Sequence, residues 1–163
     1  MKILRLVVLL VVAVPALVVV AGQLGAFRGT RPEGLGVRGG QLMPPRDTPN
    51  SVSSQAPPDA SRVLGYDPRI EPLRYTGDPA AAMQKLAALL TTTQGCVVVT
   101  NLPGYIYAQA TTRLLKFTDD LEFYLDAPAG VIQVRSASRL GKGDLGTNRA
   151  RIESLRARFE AGK

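Results

Sequence analysis

Two runs of alternating residues, joined by a Pro-Gly break between Phe117 and Ala137, constrain this chain more than any other feature. Leu121, Phe123 and Leu125 fall on one side of the first run, and Asp120, Glu122 and Tyr124 on the other. That period of two is what a half-buried strand requires. Val131–Ala137 repeats it, with Ile132 and Val134 as its apolar set and Gln133 and Arg135 as its polar set. Ala127-Pro128-Ala129-Gly130 interrupts the ladder and predicts a short hairpin loop. Pairing Leu125 with Ile132 puts Phe123 opposite Val134 and Glu122 opposite Arg135, so apolar meets apolar and acid meets base. A slip of one residue would set each apolar set against a polar one.

The rest of the C-terminal half builds outward from this hairpin. Asp78-Pro79 opens a helix, the aspartate as N-cap and the proline in the first turn, where a missing N–H costs nothing. Met83, Leu86, Leu89 and Leu90 form its apolar face, and Gly95 stops it. Cys96–Asn101 and Tyr105–Arg113, separated by a Pro103-Gly104 turn, read as two strands preceding the hairpin. Ile152, Leu155 and Phe159 mark a second helix over Arg149–Glu160, with Asn148 as its expected cap. The expected fold class is therefore α+β: two layers, a four-stranded antiparallel meander flanked by two helices, both covering the Leu121, Phe123, Ile132 and Val134 face. The opposite face is expected to carry Tyr105, Tyr107, Gln109, Glu122, Tyr124, Gln133 and Arg135.

Ahead of this domain, expected over residues 63–163, lie two segments of different character. Met1–Arg5 supplies two positive charges, and Leu6–Gly22 then runs 17 residues without a charge. Residues 1–27 read as an export signal or a transmembrane anchor: the run exceeds the ~7–15 residues of a cleavable signal and reaches the short end of the ~17–25 needed to span a bilayer. A small residue at Ala21 leaves cleavage open, and an apolar run without a polar face has nothing in so small a domain to bury it. A short basic head before a long remainder favours translocation of the C-terminal part, which sets the expected location at the inner membrane, single-pass, with the domain in the periplasm or otherwise outside the cytoplasm. Residues 28–62 are rich in Gly, Pro, Ser and Asp and read either as a flexible tether or as an arm ordered over the domain.

Composition narrows the chemistry. The chain has no histidine, which excludes histidine-based triads, histidine zinc sites and the commonest general base. Its one cysteine, Cys96, excludes an intrachain disulfide and reads as a buried thiol at the head of a valine run. With 20 basic against 13 acidic residues the net charge is +7, or 18 − 13 = +5 without Lys2 and Arg5. Such a surface suits anionic partners. The leader and the lack of a recognised motif argue against nucleic acid.

The blocks RPEGLGVRGGQL, PNSVSSQA, FTDDLEFYLD and VRSASRLGKGDLGTNRARIE, in this order, resemble the bacterial and plastid family known as domain of unknown function 1499. The resemblance runs from about Arg31 to Glu153 and implies the family's fold and an envelope setting, but no activity. Many members carry a cysteine on each side of the Pro-Asn pair, where this chain has Pro45 and Ser51. Their joint absence fits a disulfide lost as a unit.

Candidate sites cluster after the hairpin. Arg135, Ser136, Ser138 and Arg139 combine two guanidiniums with two hydroxyls at a strand end, a set able to grip phosphate or carboxylate. Gly141–Asn148 is a glycine-rich loop running into a helix N-terminus, where Asp144 and Asn148 either serve an anion site or satisfy the loop and helix amides themselves. Asp120 and Glu122 share the polar face and read as structural ion pairs, Glu122 with Arg135, while Asp119 shares a face with Leu121. No metal and no cofactor are expected. The leading expectation is a membrane-anchored, non-catalytic envelope module that binds an anionic ligand or a protein partner. The alternative is a hydrolase using Asp120, Glu122 and Asp144, with or without a divalent cation.

Overall fold

The alternating hairpin lies at the middle of the sheet. The computed structural model describes residues 2–161, with side chains described from Leu9 onward. In chain order the elements are α1 (Lys2–Gln23), β1 (Ser51–Ser53), α2 (Ala60–Leu64), β2 (Leu73–Arg74), α3 (Pro79–Thr91), β3 (Cys96–Leu102), β4 (Tyr105–Thr111), β5 (Thr118–Asp126), β6 (Val131–Ser138) and α4 (Thr147–Ala161). Strands β3 to β6 form the antiparallel meander, and β5 and β6 pair in the expected register, with Leu125 opposite Ile132, Phe123 opposite Val134 and Glu122 opposite Arg135.

The strand count differs from expectation: the described residues form a six-stranded sheet, ordered β1-β6-β5-β4-β3, with β2 also on β6. Both added strands lie along the outer edge of β6, β2 against Val131–Ile132 and β1 against Arg135–Ala137. An open edge carries unpaired N–H and C=O groups, and these two short segments satisfy them. At two and three residues they are too short to show a period in the sequence.

One face of the sheet carries the core. Ile106, Ala108, Leu121, Phe123, Ile132 and Val134 pack against Leu86 and Leu90 of α3 and Ile152, Leu155 and Phe159 of α4. Each of the Leu, Ile, Val and Phe side chains among them, buried almost completely, contributes about 1.5–3 kcal/mol. Asp78 caps α3 as its sequence predicts, its carboxylate accepting from the Ala81 N–H at 2.9 Å. Gly95 turns the chain into β3 at φ 76°, where a Cβ would meet the Thr111 carbonyl oxygen at 2.6 Å. Cys96 is a free, half-buried thiol packed against this core, and burial pushes its pKa up.

The opposite face is polar yet closed. The segment between α1 and β1 lies across it, and Tyr107, Asp120, Glu122 and Arg135 beneath are all buried. Among the described residues helix α1 contributes no side chain to the core: Leu9, Leu10, Val11, Val12, Val14, Leu17, Val18 and Val20 are all exposed. Against the expectation of a transmembrane or signal helix stands a helix around Pro15, but among the described residues no helix is long and apolar enough to cross a membrane.

Candidate functional site

Alternation along β6 separates the residues expected to act together. Arg135 and Arg139 point to the face covered by the N-terminal segment, where they meet Glu122 and Asp120. Ser136 and Ser138 point to the helix side, where they meet Asn148. The six candidate binding residues thus form two clusters with the sheet between them.

On the covered face, the Glu122 carboxylate accepts three donors: Gly36 N–H at 2.7 Å, Tyr105 O–H at 2.9 Å and Arg135 Nη1 at 3.2 Å. Arg135 Nε also reaches the Pro44 carbonyl at 3.4 Å. Burial pushes the Arg135 pKa down, with Glu122 pulling the other way, and burial next to Glu122 pushes the Tyr105 phenol up. Asp120 is held equally fully. Arg139 grips it through Nη2 at 2.7 Å and Nε at 2.9 Å, and Tyr107 donates to it at 2.6 Å. Hydrogen bonding to Asp120 raises the Arg139 pKa, while burial raises that of Tyr107. The Arg31 guanidinium stacks over the Tyr107 ring, 4.4 Å from its centroid. Charges this deeply buried persist only when paired and hydrogen-bonded, and here each is.

On the helix side, Asn148 is the hub and not the cap expected of it. Its side-chain amide donates to the Asn50 carbonyl at 3.1 Å, Ser138 Oγ at 2.9 Å and Asp144 Oδ2 at 2.7 Å, two N–H groups shared among three acceptors. Its Oδ1 accepts from Ser136 Oγ and from Arg151 Nη1. Asp144 takes the capping role because it precedes the helix, where its carboxylate accepts from Gly146 N–H at 2.9 Å and Asn148 N–H at 2.8 Å. The anion that this helix N-terminus favours is therefore supplied by the chain itself. Arg151 bridges Asn148 to Asp119, reaching the carboxylate through Nη2 at 2.6 Å.

Sequence reasoning missed the roles of Asp119, Arg151, Asn50 and Tyr107. A signal for the first two was present: Asp119 shares the parity of Leu121 and so faces the helices, where a buried carboxylate needs a cation, and Arg151 is the helix position one turn beyond Asn148. Nothing local marks Asn50, whose side chain donates to the Gly141 carbonyl at 2.7 Å from 91 residues away.

Beside the Asn148 cluster, a cleft of about 210 Å³ opens between the β4–β5 loop and the β6–α4 loop, lined by Thr112, Phe117, Asp119, Ser138, Leu140 and Asp144 among others. The carboxylates at its wall are engaged by Arg151 and by the α4 amides. Among the described residues no group of three or more His, Cys, Asp or Glu side chains is placed to hold a metal ion. No buried side-chain nitrogen or oxygen among them lacks a hydrogen-bond partner.

Compared with known proteins, the chain matches a family model described as "Protein of unknown function (DUF1499)" over residues 41–159, and it belongs to that family. The match takes in three of the four resemblance blocks and only the last residues of the first, RPEGLGVRGGQL. No curated protein and no solved structure matches it.

Proposed function

We propose that this DUF1499 member is a non-catalytic binding module, held at the envelope membrane by its N-terminal helix with the α+β domain outside the cytoplasm, and that it meets an anionic ligand or partner through its surface cations. The observation that carries the non-catalytic reading is the state of the sheet's ionisable groups. Asp119, Asp120 and Glu122 are each within 3.2 Å of an arginine donor, and all three carboxylates are buried. General base work needs a carboxylate free to take a proton, and nucleophilic catalysis needs an activated group. Asp120 and Glu122 lie under the N-terminal segment while Asp144 caps α4 on the other side of the sheet, so the three do not converge as a hydrolase would need.

The same pairing changes which residues would meet the partner. Arg135 and Arg139 are committed to internal carboxylates, whereas Arg28, Arg113 and Lys142 are exposed. The charge-free run Leu6–Gly22, in which Leu9, Leu10, Val11, Val12, Val14, Leu17, Val18 and Val20 are exposed, supports the membrane setting.

Two measurements test this reading together. A reporter fused after Lys163 is expected to be active outside the cytoplasm, and the chain is expected to fractionate with membranes. The purified protein, screened against ester, phosphoester and glycoside substrates with and without calcium, magnesium and manganese, is expected to show no turnover. Turnover abolished by Asp120→Asn or Asp144→Asn in a folded variant would install the hydrolase instead.

A further inference from the structure

The two non-glycine residues with left-handed backbone among the described residues, Lys116 at φ 59° and Leu145 at φ 53°, sit in two loops that share one end of the domain. Lys116 belongs to the β4–β5 loop and Leu145 to the β6–α4 loop, and both loops line the same cleft. Helix α1 ends against the first of them. Gln23 Nε2 donates to the Leu114 carbonyl at 2.7 Å, and a Cβ on Gly22 would meet the Leu115 carbonyl oxygen at 2.6 Å. Phe27 stacks on Phe117 with ring centroids 5.2 Å apart, and Gly29 lies directly against Leu140 of the second loop. Three segments distant in sequence therefore make one rim.

The rim exposes apolar side chains that no part of the domain uses. Leu24 and Leu114 point to solvent, and Leu145 is fully exposed although a bulky side chain is uncommon at positive φ. Around them stand Arg28, Arg113, Lys116 and Lys142. The one acid in these segments, Asp144, turns its carboxylate to the α4 amides, so the charge left facing outward is positive. Leucines standing out of a basic collar are what an interfacial membrane contact uses: the apolar groups enter the headgroup layer and the cations meet lipid phosphates.

We propose that this rim is a lipid-binding foot that seats the domain on an anionic bilayer surface, with Leu114 and Leu145 inserted between headgroups and Arg113, Lys116 and Lys142 paired with lipid phosphates. The inference rests on the membrane-held reading of α1, and continuity argues for lipid as the occupant. The exposed apolar face of α1 runs directly into the rim, so a bilayer that receives Val14, Leu17 and Val20 brings its headgroups to Leu114.

The chain has no tryptophan, so a single introduced indole reports its own surroundings. The full chain carrying Leu114→Trp, Leu145→Trp, Val14→Trp in α1, or Ala129→Trp in the hairpin at the opposite end of the sheet is reconstituted into phosphatidylcholine vesicles containing brominated phosphatidylglycerol. The foot predicts blue-shifted, quenched emission for Leu114→Trp and Leu145→Trp and neither effect for Ala129→Trp. Adding Arg113→Glu and Lys142→Glu is expected to abolish the quenching of Leu145→Trp while leaving that of Val14→Trp intact. Quenching in Val14→Trp without quenching in either rim variant overturns the foot and leaves the anchor standing. Quenching at the rim without quenching in Val14→Trp overturns the anchor and leaves the foot. Loss of both overturns both readings. Rim quenching that survives charge reversal, or that is equal in brominated phosphatidylcholine alone, overturns the recognition of anionic lipid.

Discussion

Removing either partner of the buried Glu122–Arg135 pair is expected to cost far more than the sequence pairing alone would suggest. On an exposed hairpin such a pair couples by about 1 kcal/mol or less. Here the side chains are 0% and 2% exposed, and Glu122 also receives the Gly36 N–H and the Tyr105 O–H. Arg135→Met leaves a buried carboxylate without its cation, a loss of about 3–5 kcal/mol, against a total stability of roughly 5–15 kcal/mol for a domain. Glu122→Gln keeps an acceptor oxygen for Gly36 and Tyr105 but strands the guanidinium, and is expected to cost a similar amount. The double variant has no buried charge left at the pair, so its loss is expected to be close to that of one single variant, a coupling of roughly 3 kcal/mol. Charge reversal at both positions is expected to recover little, because an arginine at position 122 cannot accept from the Gly36 N–H. Urea unfolding of the full chain in detergent, followed by circular dichroism, reads these values. With a slope of about 2 kcal/mol per molar, a 4 kcal/mol loss moves the midpoint by about 2 M. Single losses below ~1 kcal/mol, or losses that simply add, would show that the covered face is open to water and refute the argument.

Asn148→Ala is expected to destabilise by about 3 kcal/mol in the same assay, since it strips partners from the buried Ser136 hydroxyl and the Asn50 carbonyl; a loss under ~1 kcal/mol would mean water replaces the hub. Leu145→Gly relieves a left-handed leucine at a cost in unfolded-chain entropy, for a net gain of roughly 0.5–1 kcal/mol, while weakening vesicle binding; a destabilised variant would mean the leucine packs on the domain. Asp67, hydrogen-bonded by the Arg69 side chain, titrates at about 2. Its pKa is depressed in the folded state, so the small stability it adds is present above the unfolded carboxylate value near 4 and is lost as pH falls through 2, reduced further by its exposure to solvent. Carboxyl NMR is expected to find that midpoint and to see it return toward 4 in Arg69→Ala; an ordinary midpoint in the parent chain would break the pair.

The hairpin register, the Asp78-Pro79 helix start and the apolar face of α4 were all legible in the sequence, because each is a local pattern: a period of two, a cap, a spacing of three and four. The same parity already separates Arg135 and Arg139 from Ser136 and Ser138, although a view of the candidate site as one cluster passes over it. Helix capping was misplaced by four residues, since both Asp144 and Asn148 are good caps and only the position of the first turn decides between them.

By itself, then, the sequence determined which residues share a face, which strands neighbour each other within the meander and which acid opposes which base. Tertiary structure decided what lies on the other side of each face. Gly36 and Pro44 reach Glu122 and Arg135 from 86 and 91 residues away, and they turn a polar sheet surface into a buried ion-pair layer. Asn50, Ser138 and Asn148 are likewise joined only by the fold. Alternation is set by the backbone geometry of a few consecutive residues, but whether a charge meets water, a ligand or another charge depends on which distant segment comes to cover it. No local period encodes that.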